Sequence, residues 1–153
     1  MKAYKPAVHL ATLGPLGYLH PAPGTWGSIA AALLAPFVFT PMAPWLRGAV
    51  LILLVGAGTY AAASAEASFR SKDPQAVIID EFAGQLFVFL LVPNPHFFTI
   101  AAGLILFRLF DILKPWPVKP SETWFPGGLG VMMDDILAGA YGLLCLHLLL
   151  VLF

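Results

Sequence analysis

Four stretches of the chain carry no Asp, Glu, Lys or Arg: residues 29–46, 48–65, 82–107 and 136–153. A helix needs about 20 apolar residues to cross the hydrocarbon of a bilayer, so these have the length and character of membrane segments. Of the 153 residues, 10% are charged and 59% hydrophobic, whereas roughly 25% are charged in soluble domains. The chain therefore reads as an all-α integral membrane protein. The expected architecture is a polytopic bundle of about five helices, in a single domain over 1–153, with its polar groups gathered at one membrane surface. Net charge is zero and no basic tract is present, which argues against nucleic acid. The lone Cys145 permits no intrachain disulfide. The basic start around Lys2 and Lys5 leads into a weak apolar stretch broken by Gly14, Pro15 and Gly17, so no cleavable signal peptide is expected.

In chain order, residues 1–23 read as an irregular or partly helical arm. Gly24-Thr25-Trp26-Gly27-Ser28 then feeds a first helix over 28–39, with Ser28 as its N-cap. Pro36 lies inside it, and at about 1.5 Å per residue it is too short to cross a bilayer unless kinked. A second helix over 45–69 is rich in Gly and Ala and ends with Glu66 and Arg70 spaced for an ion pair. A third, from about Val77 to Val92, carries Asp80 and Glu81 near its head. Pro93-Asn94-Pro95 reverses the chain into a fourth helix over 96–113. Trp116, Trp124 and Phe125 suit the headgroup level. A fifth helix runs to the C-terminus, with Asp135, Ala138, Gly139 and Gly142 on one face.

At the end of the fourth helix, Arg108, Asp111 and Lys114 recur at three-residue spacing and share a face, before Pro115 and Pro117 stop the helix. That arrangement suits a phosphate with its metal ion; it also suits a helix end holding an intrahelical ion pair. Alternating helix directions put Lys2, Lys5, Arg70, Lys72, Arg108, Lys114 and Lys119 on one side and leave Arg47 on the other. By the positive-inside rule that side is cytoplasmic. All eight acids fall there too, which the rule does not require.

Asp80, Glu81, Asp111, Asp134 and Asp135 thus begin or end three helices at one surface. Carboxylates crowded into a partly dry pocket repel one another and take up protons unless a cation is present. Oxygen ligands without a Cys or His cluster favour Mg²⁺, Mn²⁺ or Ca²⁺ over zinc. Arg108 and Lys114 would bind phosphate oxygens, with the backbone near Thr25 and Ser28 as an additional anion cradle. Together these describe metal-assisted phosphoryl chemistry on a membrane-embedded substrate. His20 is a candidate proton donor to the leaving oxygen. His96 and His147 read as structural.

Four blocks carry a family resemblance: Gly24-Thr25-Trp26-Gly27-Ser28; Lys72-Asp73-Pro74-Gln75 with Asp80-Glu81-Phe82-Ala83-Gly84-Gln85; residues 107–117; and residues 128–139. In this order they resemble phosphatidylglycerophosphatase A, and Phe-Arg-Leu-Phe-Asp-x-x-Lys-Pro-Trp-Pro is the most specific of them. The resemblance implies a Mg²⁺-dependent hydrolase of the bacterial inner membrane. It would convert phosphatidylglycerophosphate to phosphatidylglycerol and phosphate at the cytoplasmic surface. Direct attack by water and a covalent aspartyl-phosphate are both open as mechanisms. From other classes, a divalent-cation transporter or channel lined by the same carboxylates is the main alternative, and a lipid-binding subunit without chemistry is a third. A transporter requires acids along a path through the membrane, and the last helix has none beyond Asp135. Oligomeric state is not legible in the residues.

Overall fold

The computed structural model describes residues 5–153, so Lys2 of the positive-inside tally lies outside the described residues. Among the described residues there are seven α-helices and no strand. They are α1 (Lys5–Ala11), α2 (Pro23–Leu34), α3 (Pro44–Phe69), α4 (Ile79–Val88), α5 (Phe97–Leu113), α6 (Val118–Ser121) and α7 (Gly128–Leu152). Only α3 and α7 are long and apolar enough to cross a bilayer, at 26 and 25 residues. Their outward faces are apolar as well: Ile52, Leu53, Leu144 and Leu148 are all exposed. Greasy faces left open on this scale mark a membrane or partner surface.

The first long helix begins five residues earlier than its sequence signals indicate, at Pro23. Proline at the first helical position already has the right φ and gives up an amide that would have no partner there. Ser28 is therefore not the N-cap. It sits buried inside the helix, its hydroxyl donating to the Gly24 carbonyl at 3.0 Å. Pro36 is accommodated by a wide π turn, Ala35–Phe39, in which the Thr40 amide reaches back five residues to the Ala35 carbonyl at 2.8 Å. The continuous element Pro23–Phe39 is thus longer than expected, yet it remains below spanning length.

The expected third span is a correction. Helix α4 has ten residues, about 15 Å, and cannot cross hydrocarbon. After Val88 the chain tightens: the Phe89, Leu90 and Val92 amides each bond only three residues back. The carbonyls this leaves over are taken by Arg47, the base that the sequence sets apart from the others. Buried at 5% exposure, its guanidinium donates to Leu90 and Val92 at 3.0 and 3.2 Å, to Met42 at 2.9 Å, and to Thr40. One side chain thereby closes the ends of two apolar elements where water is scarce.

Helix α4 is instead the central post, packed by α2, α3, α5 and α7. Its closest neighbour is α7, and the two backbones touch. A Cβ at Gly139 would run into the Gly84 carbonyl, and one at Gly84 would lie 2.5 Å from the Asp135 carbonyl. Small residues permit that approach. One core joins α2, α4, α5 and α7 through Ala31, Phe39, Val88, Phe107 and Ala138. A second ties the N-terminal arm to α3, α4 and α7 through Ala11, Ala61, Ala65, Ile79 and Met132. The arm is held to the 70–78 connector by the Ile78 amide, which donates to Ala11 at 2.9 Å.

Candidate active site

The contact between Gly84 and Gly139 fixes what lies one turn before each glycine. Asp80 in the first turn of α4 and Asp135, two turns into α7, are brought side by side at the same end of the molecule. Phe107, fully buried against Gly84, sets the end of α5 next to them and delivers Arg108 and Asp111. The result is a cavity of about 280 Å³ lined by Asp80, Glu81, Arg108, Asp111, Lys114, Asp134 and Asp135. Every metal-ligating candidate of the sequence lines that one cavity, together with Arg108 and Lys114.

The acids form two overlapping groups. Asp80, Glu81 and Asp135 offer ligand atoms within 4.8 Å of one another, as do Asp111, Asp134 and Asp135. Asp80 is 6% exposed and Asp135 3%. Asp80 Oδ1, Glu81 Oε2 and Asp135 Oδ1 are buried without a hydrogen-bond partner among the described residues. Orphaned carboxylate oxygens in a buried cluster are costly. A divalent cation satisfies several of them at once, so these residues fit an oxygen-ligated metal ion.

The two bases are engaged. Arg108 Nη1 donates to Asp111 Oδ2 at 2.5 Å, so the intrahelical ion pair and the cavity-facing arrangement are both present. Lys114 occupies the left-handed C-cap of α5 (φ 45°), donating to Asp134 Oδ2 at 2.7 Å and to Glu122. Burial works against the Lys114 charge, but the bonds to Asp134 and Glu122 outweigh it and hold its pKa above the ordinary lysine value.

Other expectations fare differently. Neither Thr25 nor Ser28 lines the cavity; the arm contributes Pro21, Ala22, Pro23 and Gly24 instead. Ser28 is buried with its hydroxyl already committed, so it is withdrawn as a phosphate ligand. Gly24 stands against Glu81, whose carboxylate a Cβ there would strike. His20 is exposed and does not line the cavity. Glu66 accepts from the Asp73 amide at 3.0 Å rather than pairing with Arg70, which has turned into the left-handed region at the end of α3. Two contributors, both among the eight acids of one side, are not singled out as site residues by the sequence. Asp73 lines the cavity, and its place in a polar connector on the acidic side was the available signal. Glu122 holds Lys114 from a loop that no periodicity marks.

Residues 9–150 match the family described as Phosphatidylglycerophosphatase A. The chain belongs to that family. It is 34% identical over 143 residues to the phosphatidylglycerophosphatase A of Haemophilus influenzae, covering 90% of this chain and 85% of the relative. The phosphatidylglycerophosphatase A of Escherichia coli is 34% identical over 134 residues, with 86% and 76% covered. A Bacteroides thetaiotaomicron protein named "Putative phosphatidylinositol-3-phosphatase" is 39% identical over 126 residues, with 78% of each chain covered. No solved structure gives a significant match.

Proposed function

We propose that the chain is a single membrane-embedded phosphatase domain. It hydrolyses the terminal phosphomonoester of phosphatidylglycerophosphate to phosphatidylglycerol and phosphate. One observation carries the reading: in a member of the phosphatidylglycerophosphatase A family, five carboxylates from three helices meet two bases in one cavity at one end of the molecule. Asp80, Glu81, Asp111, Asp134 and Asp135 are the residues to hold Mg²⁺, whose hard, oxygen-only preference they match. Such an ion lowers the pKa of an attacking water and screens phosphoryl charge.

The chain's own residues do the rest. Arg108 presents a planar fork and Lys114 a point charge to the phosphoryl oxygens, where negative charge builds in the transition state. Asp111, between the bases and the deeper acids, either holds the ion or takes the proton of the attacking water. The water oxygen bonds to phosphorus, the P–O bond to the glycerol breaks, and the leaving oxygen gains a proton. At the arm's edge the first-turn amide of α2 at Gly24, a residue that lines the cavity, would serve as a donor for a further oxygen.

The bases of the described residues, Arg47 apart, favour a multi-pass orientation with this end in the cytoplasm of a bacterium. A lipid headgroup at the inner-membrane surface would then meet the cavity while its chains stay in the bilayer. A transporter draws no support from the acids, which stop at one end of the helices.

The name of the Bacteroides relative makes substrate choice the point to test. Purified protein in mixed micelles should release phosphate from phosphatidylglycerophosphate at least tenfold faster than from phosphatidylinositol 3-phosphate. The reverse preference would overturn the substrate assignment, and release from neither would overturn the phosphatase.

A further inference from the structure

The two groups of acids differ in a way that orders their cations. Asp80, Glu81 and Asp135 each keep a buried oxygen with no partner. In the second group, Asp111 and Asp134 are already matched by bases, Arg108 Nη1 at 2.5 Å and Lys114 Nζ at 2.7 Å. Asp135, 97% buried, belongs to both. We infer that the cavity is a two-cation centre bridged by Asp135. One cation is resident among Asp80, Glu81 and Asp135, and a second binds Asp111, Asp134 and Asp135 only when a phosphate group enters.

The physical argument is a competition for partners. The first group has no base in ion-pair contact, so its mutual repulsion is relieved by protons or by a cation, and a divalent cation also serves the orphaned oxygens of all three side chains at once. The second group has its countercharge in Arg108 and Lys114 while no phosphate competes. A phosphate dianion, with several charged oxygens, draws the Arg fork and the Lys ammonium away from single carboxylates. Asp111 and Asp134 are then left as bare acids beside an anionic ligand, and a divalent cation takes the place the bases gave up. Lys114 retains Glu122 throughout, so it is steered rather than set loose. The inference rests on the metal-binding reading above and adds the number of ions, the order and the bridging residue.

Mn²⁺ reports this without turnover. Equilibrium binding of Mn²⁺ to the metal-stripped full chain in detergent should give one tight ion per chain. Adding millimolar inorganic phosphate should raise the count to two, with the isolated six-line resonance broadening into that of a spin-coupled pair. Asp111→Asn should keep the first ion and lose the phosphate-dependent second, while Asp80→Asn should lose the first. Wild-type protein that binds two ions equally well without phosphate, or only one with it, would overturn the inference while leaving the metal-binding reading intact. Protein that binds no Mn²⁺ in either condition removes both.

Discussion

Asp111 is the residue on which the proposed chemistry converges, since it touches Arg108 and stands within reach of Asp134 and Asp135. Asp111→Asn keeps the shape and removes the charge. It should lower kcat by roughly 10²-fold or more with the thermal midpoint little changed; turnover near wild type would remove Asp111 from the mechanism. Gly24 makes a subtler case. An Ala there meets only the end of the flexible Glu81 side chain, so folding survives while that carboxylate is displaced. Misplacement by about 1 Å costs on the order of 10² in rate, so Gly24→Ala should be stable and slow. At this scale the sequence was informative wherever charge stood out against apolar surroundings, as with Asp80, Glu81, Asp111, Asp134 and Asp135. It misled at Ser28, where a capping residue type followed a proline that started the helix first. It grouped Glu122 with the other acids but did not reveal its partnership with Lys114, which spans a loop.

Helix α4 shows what apolar runs conceal. Residues 82–107 contain no charge, and counting alone makes them a span followed by another. A run of Phe, Leu and Val reads the same for a spanning helix and for a short helix buried on every side, so its end was not visible. Just past its end, the Leu90 and Val92 carbonyls are taken by Arg47, more than 40 residues away in sequence. Arg47→Met should strand four carbonyls in a dry region at ~1–3 kcal/mol each before relaxation. A loss of several degrees in thermal midpoint is expected, with only partial recovery in Arg47→Lys because an ammonium cannot reproduce the fork. An unchanged midpoint would contradict that role. The crossing of α4 and α7 was half visible, as a small-residue face on the last helix. Its partner Gly84, one turn beyond Asp80, reads in the sequence as room beside that carboxylate, and the touching backbones show that α7 fills the room. Gly139→Ala should cost about 1–3 kcal/mol through overpacking. It should also weaken Mn²⁺ binding, because the same contact sets Asp80 beside Asp135. Destabilisation with metal affinity untouched would separate the two effects and contradict the link.

For the whole molecule, two long apolar helices with exposed greasy faces carry a polar cavity at one end, the arrangement that the proposed reaction on a lipid headgroup requires. The central claim is that crowded carboxylates there serve a cation on which phosphate release depends. Dialysis against a chelator, followed by assay on phosphatidylglycerophosphate with and without added Mg²⁺, addresses it directly. The account predicts that stripped protein loses at least ~99% of its activity and regains it with Mg²⁺, and that Asp135→Asn does not recover at any Mg²⁺ concentration. Full activity after stripping, in protein shown to hold no metal, would contradict it.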